Sequence, residues 1–204
     1  MYLFKIKYKF KPYNQDAPIP TSIKYIQGLD KLLEDKRMKS LFNMCMVMTT
    51  PEFWKDYFDY ERVLIFQQDS NILRKGIEDF FEYDYVGAPC GKIVFAESGF
   101  ETKNYIGNGG LSLRKKSVIL NLIKNDLYNI RYNGPEDIFF SQNITNKPTF
   151  KKAILFSVES FFSEKSFGIH KCYMHLQNDQ LCKIAEYIPE IFELAELNKI
   201  HHNY

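Results

Sequence analysis

"RVLIFQQDS", residues 62–70, is the stretch on which the reading of this chain turns. Val63, Leu64, Ile65 and Phe66 form a short, uninterrupted apolar run with β-branched residues, which predicts a buried strand. The run stops at Gln67, Gln68, Asp69 and Ser70, so the strand delivers an acid at its carboxyl end. In open α/β sheets, ligands bind outside the carboxyl ends of strands. A carboxylate in that place suits a hard divalent cation on a phosphate, because such cations take oxygen ligands. An equally simple reading has Asp69 capping a turn or the following helix.

Strand and helix signals continue on both sides of this run. Residues 2–10 alternate Tyr2, Phe4, Ile6, Tyr8 and Phe10 against lysines, a strand pattern, and "KPYNQDAPIPTS" (11–22) carries three prolines and reads as a loop. Leu29, Leu32, Leu33 and Leu41 predict a helix over 28–42, and "TTPEFWKDYF" starts another with Pro51 and Glu52 in its first turn. Downstream, "KGIEDFFEY" (75–83) reads as helix, "DYVGAP" (84–89) as a short strand, and 90–110 as loop or hairpin. "GLSLR" (110–114) is a strand, 117–125 a helix, and "GPEDIFFSQNI" (134–144) a helix begun by Pro135, Glu136 and Asp137. "FSVESFF" and "FGIHKCY" follow, then a helical stretch from Asp179 to Asn198 that Pro189 interrupts. Mixed strands and helices predict an α/β fold. The expectation is one domain over 1–204, with a variable part to residue 49, a motif-bearing core over 50–175 and a helical tail over 176–204.

The charge balance narrows the function classes. A net charge of +2 over 204 residues argues against a general nucleic-acid binder. Lys5, Lys7, Lys9 and Lys11 read as the solvated face of an edge strand. Lysine outnumbers arginine 22 to 5, a pattern of A/T-rich coding such as that of a large virus or a parasite. Cys45, Cys90, Cys172 and Cys182 form no CxxC pair and no zinc-type cluster, so they read as free thiols in a reducing compartment. No apolar run approaches the ~20 residues of a membrane span. The opening "MYLFKIKYKF" carries lysines within its apolar stretch, unlike a signal peptide. The expected location is cytoplasmic, the host's cytoplasm if the coding is viral.

Three further constellations carry polar chemistry. "GNGGLSLR" (107–114) sets Gly107, Gly109 and Gly110 beside a core strand, which suits close approach of a ligand to the backbone, or else a tight hairpin turn at Asn108. It is neither a Walker loop nor a dinucleotide fingerprint. Glu136 and Asp137 begin a helix, where they serve as ordinary helix-start acids or offer one carboxylate as a proton acceptor. His170 is a metal ligand or a satisfied core histidine, and His175 is the weaker candidate of the two.

Together "FQQDS", "YDYVGAP", "GNGGLSLR", "PEDIFFS", "FSVE" and "FGIHK" resemble a largely uncharacterised family of glycosyltransferases. Its members share a QxDS segment, a GNGGLSLR box, an acidic helix start and an FGxHK segment. The resemblance runs from about Thr50 to Tyr173. More distantly the chain is similar to nucleotide-sugar transferases of the GT-A fold, including the β-1,4-galactosyltransferase and polypeptide N-acetylgalactosaminyltransferase groups.

That resemblance implies a GT-A-like mixed sheet flanked by helices, and transfer of a sugar from a nucleotide-sugar donor, UDP-linked, to a hydroxyl on a glycan or protein. It implies Asp69 and His170 as ligands of Mn²⁺ or Mg²⁺ on the donor diphosphate. Gln67 stands where such enzymes carry the first acid of an Asp-x-Asp motif and would hydrogen-bond a ribose. Gly107, Asn108, Gly109 and Gly110 would line the donor sugar or acceptor, and Asp137 with Glu136 would occupy the general-base position of an inverting enzyme. Arg114 would face the diphosphate or, by alternation along 110–114, equally the solvent. Only 63 residues precede "LIFQQDS", which implies a shortened amino-terminal nucleotide half. Two alternatives belong to other classes. One is a degenerate transferase fold that binds carbohydrate or protein. The other is a phosphate-handling nucleotidyltransferase or kinase, disfavoured by the lack of a phosphate loop and of a second carboxylate near Asp69. The oligomeric state is left open.

Overall fold

A computed structural model describes residues 23–25, 48–49, 51–56, 60–67, 69–90, 93–95, 100–102, 105–124, 135–193 and 195–196. The predicted strand over 2–10 with its lysines, the loop over 11–22 and the helix over 28–42 lie outside the described residues.

The run that opened the reading is a strand, β2 (Arg62–Phe66), and it sits inside a four-stranded sheet. On one side it pairs in parallel with β1 (Ile23–Tyr25). On the other it pairs antiparallel with β9 (Leu111–Lys115), which in turn pairs antiparallel with β4 (Tyr85–Gly87). The apolar run is continuous because both faces of β2 are covered. Val63 and Ile65 enter one core with Trp54, Tyr85, Ile119, Phe139 and Phe140, while Leu64 enters another with Phe80, Val86, Leu113, Phe156 and Phe167. Alternation of side chains along a strand dictates this division.

Helices cover the first face. They are α1 (Pro51–Asp56), α2 (Lys116–Lys124) and α3 (Glu136–Asn143). Trp54 is fully buried, and its indole N–H donates to the Met48 carbonyl at 2.6 Å. The second face is closed by aromatic packing, with Phe80 edge-on to Phe156 and Phe156 stacked on Phe167.

A second, three-stranded sheet continues from the end of β2. Its order is β10 (Ser157–Val158), β11 (Gly168–His170) and β3 (Ser70–Ile72). It packs through Val158 and Ile169, joined by Cys172 just beyond β11, onto Leu181 and Ile184 of α5 (Asn178–Ala185), which a Gln177–Gln180 capping box starts. The short helix α4 (Phe150–Ala153) precedes β10. Two two-stranded ribbons complete the set: β5 (Pro89–Cys90) with β8 (Tyr105–Ile106), and β6 (Ile93–Phe95) with β7 (Phe100–Thr102). The fold is mixed α/β. Among the described residues no helix is long and apolar enough to cross a membrane.

One expectation needs adjusting. The helix over 75–83 is a single 3₁₀ turn, Ile77–Phe80, entered through Gly76 at φ 103. The tail follows its reading: it is helical over Asn178–Ala185, broken around Pro189 and helical again at 191–193 and 195–196, while Asn198 lies outside the described residues.

Candidate functional site

The site forms where β2 hands over to β3. The backbone turns there: Ser70 N–H donates to the Gln67 carbonyl at 3.0 Å, and Gln67 N–H to the Gly110 carbonyl at 2.8 Å. Ser70 also donates its hydroxyl to Gly110 O at 3.0 Å. The strand end carrying Gln67 and Asp69 is therefore stitched to the glycine box. Antiparallel pairing of β3 with β11 sets His170 opposite Ser70, which brings the imidazole onto the same turn.

There His170 Nε2 lies 3.1 Å from Gln67 Oε1 and 3.4 Å from Asp69 Oδ1. His170 is buried and Asp69 nearly so. Asp69 Oδ1 is buried without a hydrogen bond among the described residues. Its other oxygen faces Lys171 Nζ at 3.7 Å and accepts a long 3.5 Å bond from the Tyr173 hydroxyl. Burial pushes the Asp69 carboxyl upward, but His170 and then Lys171 outweigh it, and the net shift is downward. Burial likewise depresses His170, yet Asp69 and Glu159 on its two sides carry the net shift upward. No group of three or more His, Cys, Asp or Glu side chains is placed to hold a metal among the described residues. The donor set at this point is instead one carboxylate, one imidazole and one amide oxygen.

The glycines answer to the protein's own side chains. A Cβ on Gly110 would meet the His170 ring at 2.1 Å. One on Gly109 would meet Asp137 Cβ at 2.8 Å, and one on Gly107, at φ 125, would meet the Tyr85 ring at 2.2 Å. The close approach predicted for this box thus comes from His170, Asp137 and Tyr85. Since Gly109 and Gly110 have Cα atoms only ~3.8 Å apart, His170 and Asp137 flank one dipeptide. Asn108 pins the loop, its Oδ1 accepting from Gly110 N–H at 2.8 Å.

At the start of α3 the two acids separate in role. Asp137 Oδ2 accepts from Gly109 N–H at 2.9 Å, and its Oδ1 from its neighbour Ile138 N–H at 2.8 Å. Burial, with the adjacent Glu136 charge, pushes the Asp137 carboxyl up to about 7. Glu136 instead pairs with Arg114 at 3.0 Å, and both are buried. Arg114 is 0% exposed. It stands opposite Val63 and Tyr85 in the central strand, with its guanidinium 5.3 Å from the Tyr85 ring and 5.4 Å from that of Phe140. The expectation that Arg114 faces a diphosphate meets a guanidinium enclosed in the aromatic core. The in-register partners on β2 and β4 turn its side chain to the covered face.

Glu159 is a participant the sequence reading left unassigned. It follows β10 directly, is 4% exposed, and accepts from Asn108 Nδ2 at 3.0 Å. Its Oε1 also lies 3.6 Å from His170 Nδ1. The signal available was one acid inside the "FSVE" segment, with no periodicity or spacing to lift it out. His175 ends the 3₁₀ turn Cys172–Met174, on the far side of Lys171 from β11.

No curated protein and no solved structure matches the chain. A family model does, over residues 30–170, more than half of the chain and including every element of the site. The chain belongs to the family described as protein of unknown function (DUF5672).

Proposed function

We propose that this protein is a metal-dependent glycosyltransferase on a GT-A-like fold, moving a sugar from a UDP-linked donor to a hydroxyl acceptor. The observation that carries the reading is the meeting of Asp69 and His170 at 3.4 Å beyond the carboxyl end of β2. The parallel β1–β2 pair supports it, as the remnant of a nucleotide-binding half.

Asp69 and His170 would hold the divalent cation, Mn²⁺ or Mg²⁺, with the Gln67 amide oxygen beside them. The residues fit such a group: Asp69 Oδ1 is buried and unbonded, and His170 Nε2 faces both it and the Gln67 amide oxygen. When bound, the cation offsets negative charge gathering on the diphosphate leaving group. Asp137 is the proton acceptor for the attacking hydroxyl. A carboxyl near pH 7 is well matched to that task, which contributes roughly 10²–10⁴-fold. Gly109 and Ile138 hold its two oxygens. Arg114, by taking Glu136 as its partner, leaves Asp137 as the acid that faces the loop.

A second reading, a carbohydrate- or protein-binding module on a degenerate transferase fold, draws on Gln67 and on Lys171, which already partners Asp69. A screen of UDP-sugars with Mn²⁺ and simple glycosides, read as UDP release, separates the two. Turnover that Asp137→Asn reduces by at least 100-fold supports the transferase. Binding without turnover of any donor supports the module.

A further inference from the structure

We infer that Glu159 is a positioning residue: it fixes the orientation and the protonated nitrogen of His170, so that Nε2 is presented to Gln67 and Asp69. Strand pairing puts it there. β10 and β11 run in parallel with Ser157 opposite Gly168 and Val158 opposite Ile169, so the next rung sets Glu159 beside His170.

The hydrogen-bond directions follow by elimination. Gly110 N–H can only donate, and it donates to Asn108 Oδ1 at 2.8 Å. The other end of that amide, Nδ2, is therefore the donor that Glu159 Oε1 accepts at 3.0 Å. The same Oε1 faces His170 Nδ1 at 3.6 Å. A nitrogen lone pair turned toward a buried carboxylate is repelled, so Nδ1 carries a proton; Nε2, facing Asp69 Oδ1 and Gln67 Oε1, carries one by the same rule until a cation takes that side. Glu159 Oε2 and His170 Nδ1 are both buried without a hydrogen bond among the described residues, so their charge and proton are left to each other.

Through Asn108, Glu159 also ties the glycine box to the histidine. A carboxylate on the far nitrogen of a metal-binding histidine sets its tautomer and ring angle, and its loss typically costs 10–100-fold in metal affinity. The geometric part stands on distances alone. Its consequence for cation binding rests on the proposed Asp69–His170 site.

Two measurements keep these apart. The first is a long-range ¹H–¹⁵N spectrum of the histidine imidazoles at neutral pH, with the His170 signal identified by its loss in His170→Gln. Nδ1 protonated in the parent, and that preference lost in Glu159→Gln, is the expected result. An unprotonated Nδ1 in the parent overturns the inference whether or not Glu159→Gln folds. The second is Mn²⁺ titration followed by the free-ion paramagnetic resonance signal. We expect Glu159→Gln to weaken binding 10–100-fold and Asp69→Asn to weaken it at least as much. Parent-like affinity in Glu159→Gln alongside a weakened Asp69→Asn overturns the role of Glu159 in binding. Equal affinity in the parent and Asp69→Asn overturns the cation site and leaves the tautomer result standing.

Discussion

Gly110→Ala is the most informative single substitution, because one methyl group tests how the site is built. Gly110 is not among the described glycines at positive φ, which are Gly76 and Gly107, so alanine's backbone is accommodated. The added Cβ would lie 2.1 Å from His170 Cε1 and Nε2. Carbon atoms rest comfortably at about 3.5 Å, so ring or strand must retreat by about 1.4 Å. Nε2 stands only 3.1 Å from Gln67 Oε1 and 3.4 Å from Asp69 Oδ1, and a retreat of that size breaks both approaches. Overpacking of this kind costs about 1–3 kcal/mol. In a chain of this size that lowers Tm by roughly 2–12 °C. The assay is urea unfolding of the parent, Gly110→Ala, His170→Ala and the double variant. With the ring removed, the methyl has room, and Gly110→Ala should be neutral or stabilising by up to about 1 kcal/mol through the unfolded chain. A cost that is the same with and without the His170 ring would refute the packing of His170 on Gly110.

Three further outcomes follow from the same geometry. Asp137 has a folded pKa raised from 3.8 to about 7, so its contribution to stability is complete below the unfolded value and is lost as pH rises through about 7. Pulse proteolysis or urea melts from pH 4 to 8 should therefore show Asp137→Asn gaining on the parent as pH rises, by at most about 4 kcal/mol and less for a half-buried carboxyl. A pH-independent difference would sink that assignment. Arg114→Met breaks the buried Arg114–Glu136 ion pair and should cost about 3–5 kcal/mol, with Arg114→Met/Glu136→Gln recovering part of it in a double-mutant cycle. Leu113→Ala removes a fully buried side chain of the central strand and should cost about 2–5 kcal/mol in denaturant melts, a smaller loss showing that the two sheet faces are not filled as described.

Much of the frame was legible because it rests on local patterns. The run at 63–66 declared a buried strand, since both faces of β2 meet core, and no polar residue interrupts it. Pro135, Glu136 and Asp137 announced the start of α3, because proline and acids suit a helix amino terminus whatever surrounds it. Partnerships were less legible. Arg114 and Ser112 alternate with leucines as solvent-facing residues do, and only β4 and the helices laid over that face turn them inward. The glycine box announced a close approach, read as that of a ligand or a tight turn; the part His170 plays in it was not legible, because His170 arrives through β11–β3 pairing, sixty positions later in the chain. Glu159 stayed hidden for the same reason: its meaning depends on the rung beside His170, and strand register is not written in a four-residue segment.

The central claim is that the turn carrying Asp69, met by His170, holds a divalent cation on a nucleotide diphosphate. Thermal denaturation with UDP, in the presence and absence of Mn²⁺, tests it most directly. At a nucleotide concentration of about 100 Kd the stabilisation is ~2.7 kcal/mol, or roughly 5–11 °C for a chain of this length. The account predicts that rise with both UDP and Mn²⁺ present, no rise with UDP alone, and none in Asp69→Asn. A UDP shift that is equally large without metal, or that survives Asp69→Asn unchanged, contradicts it.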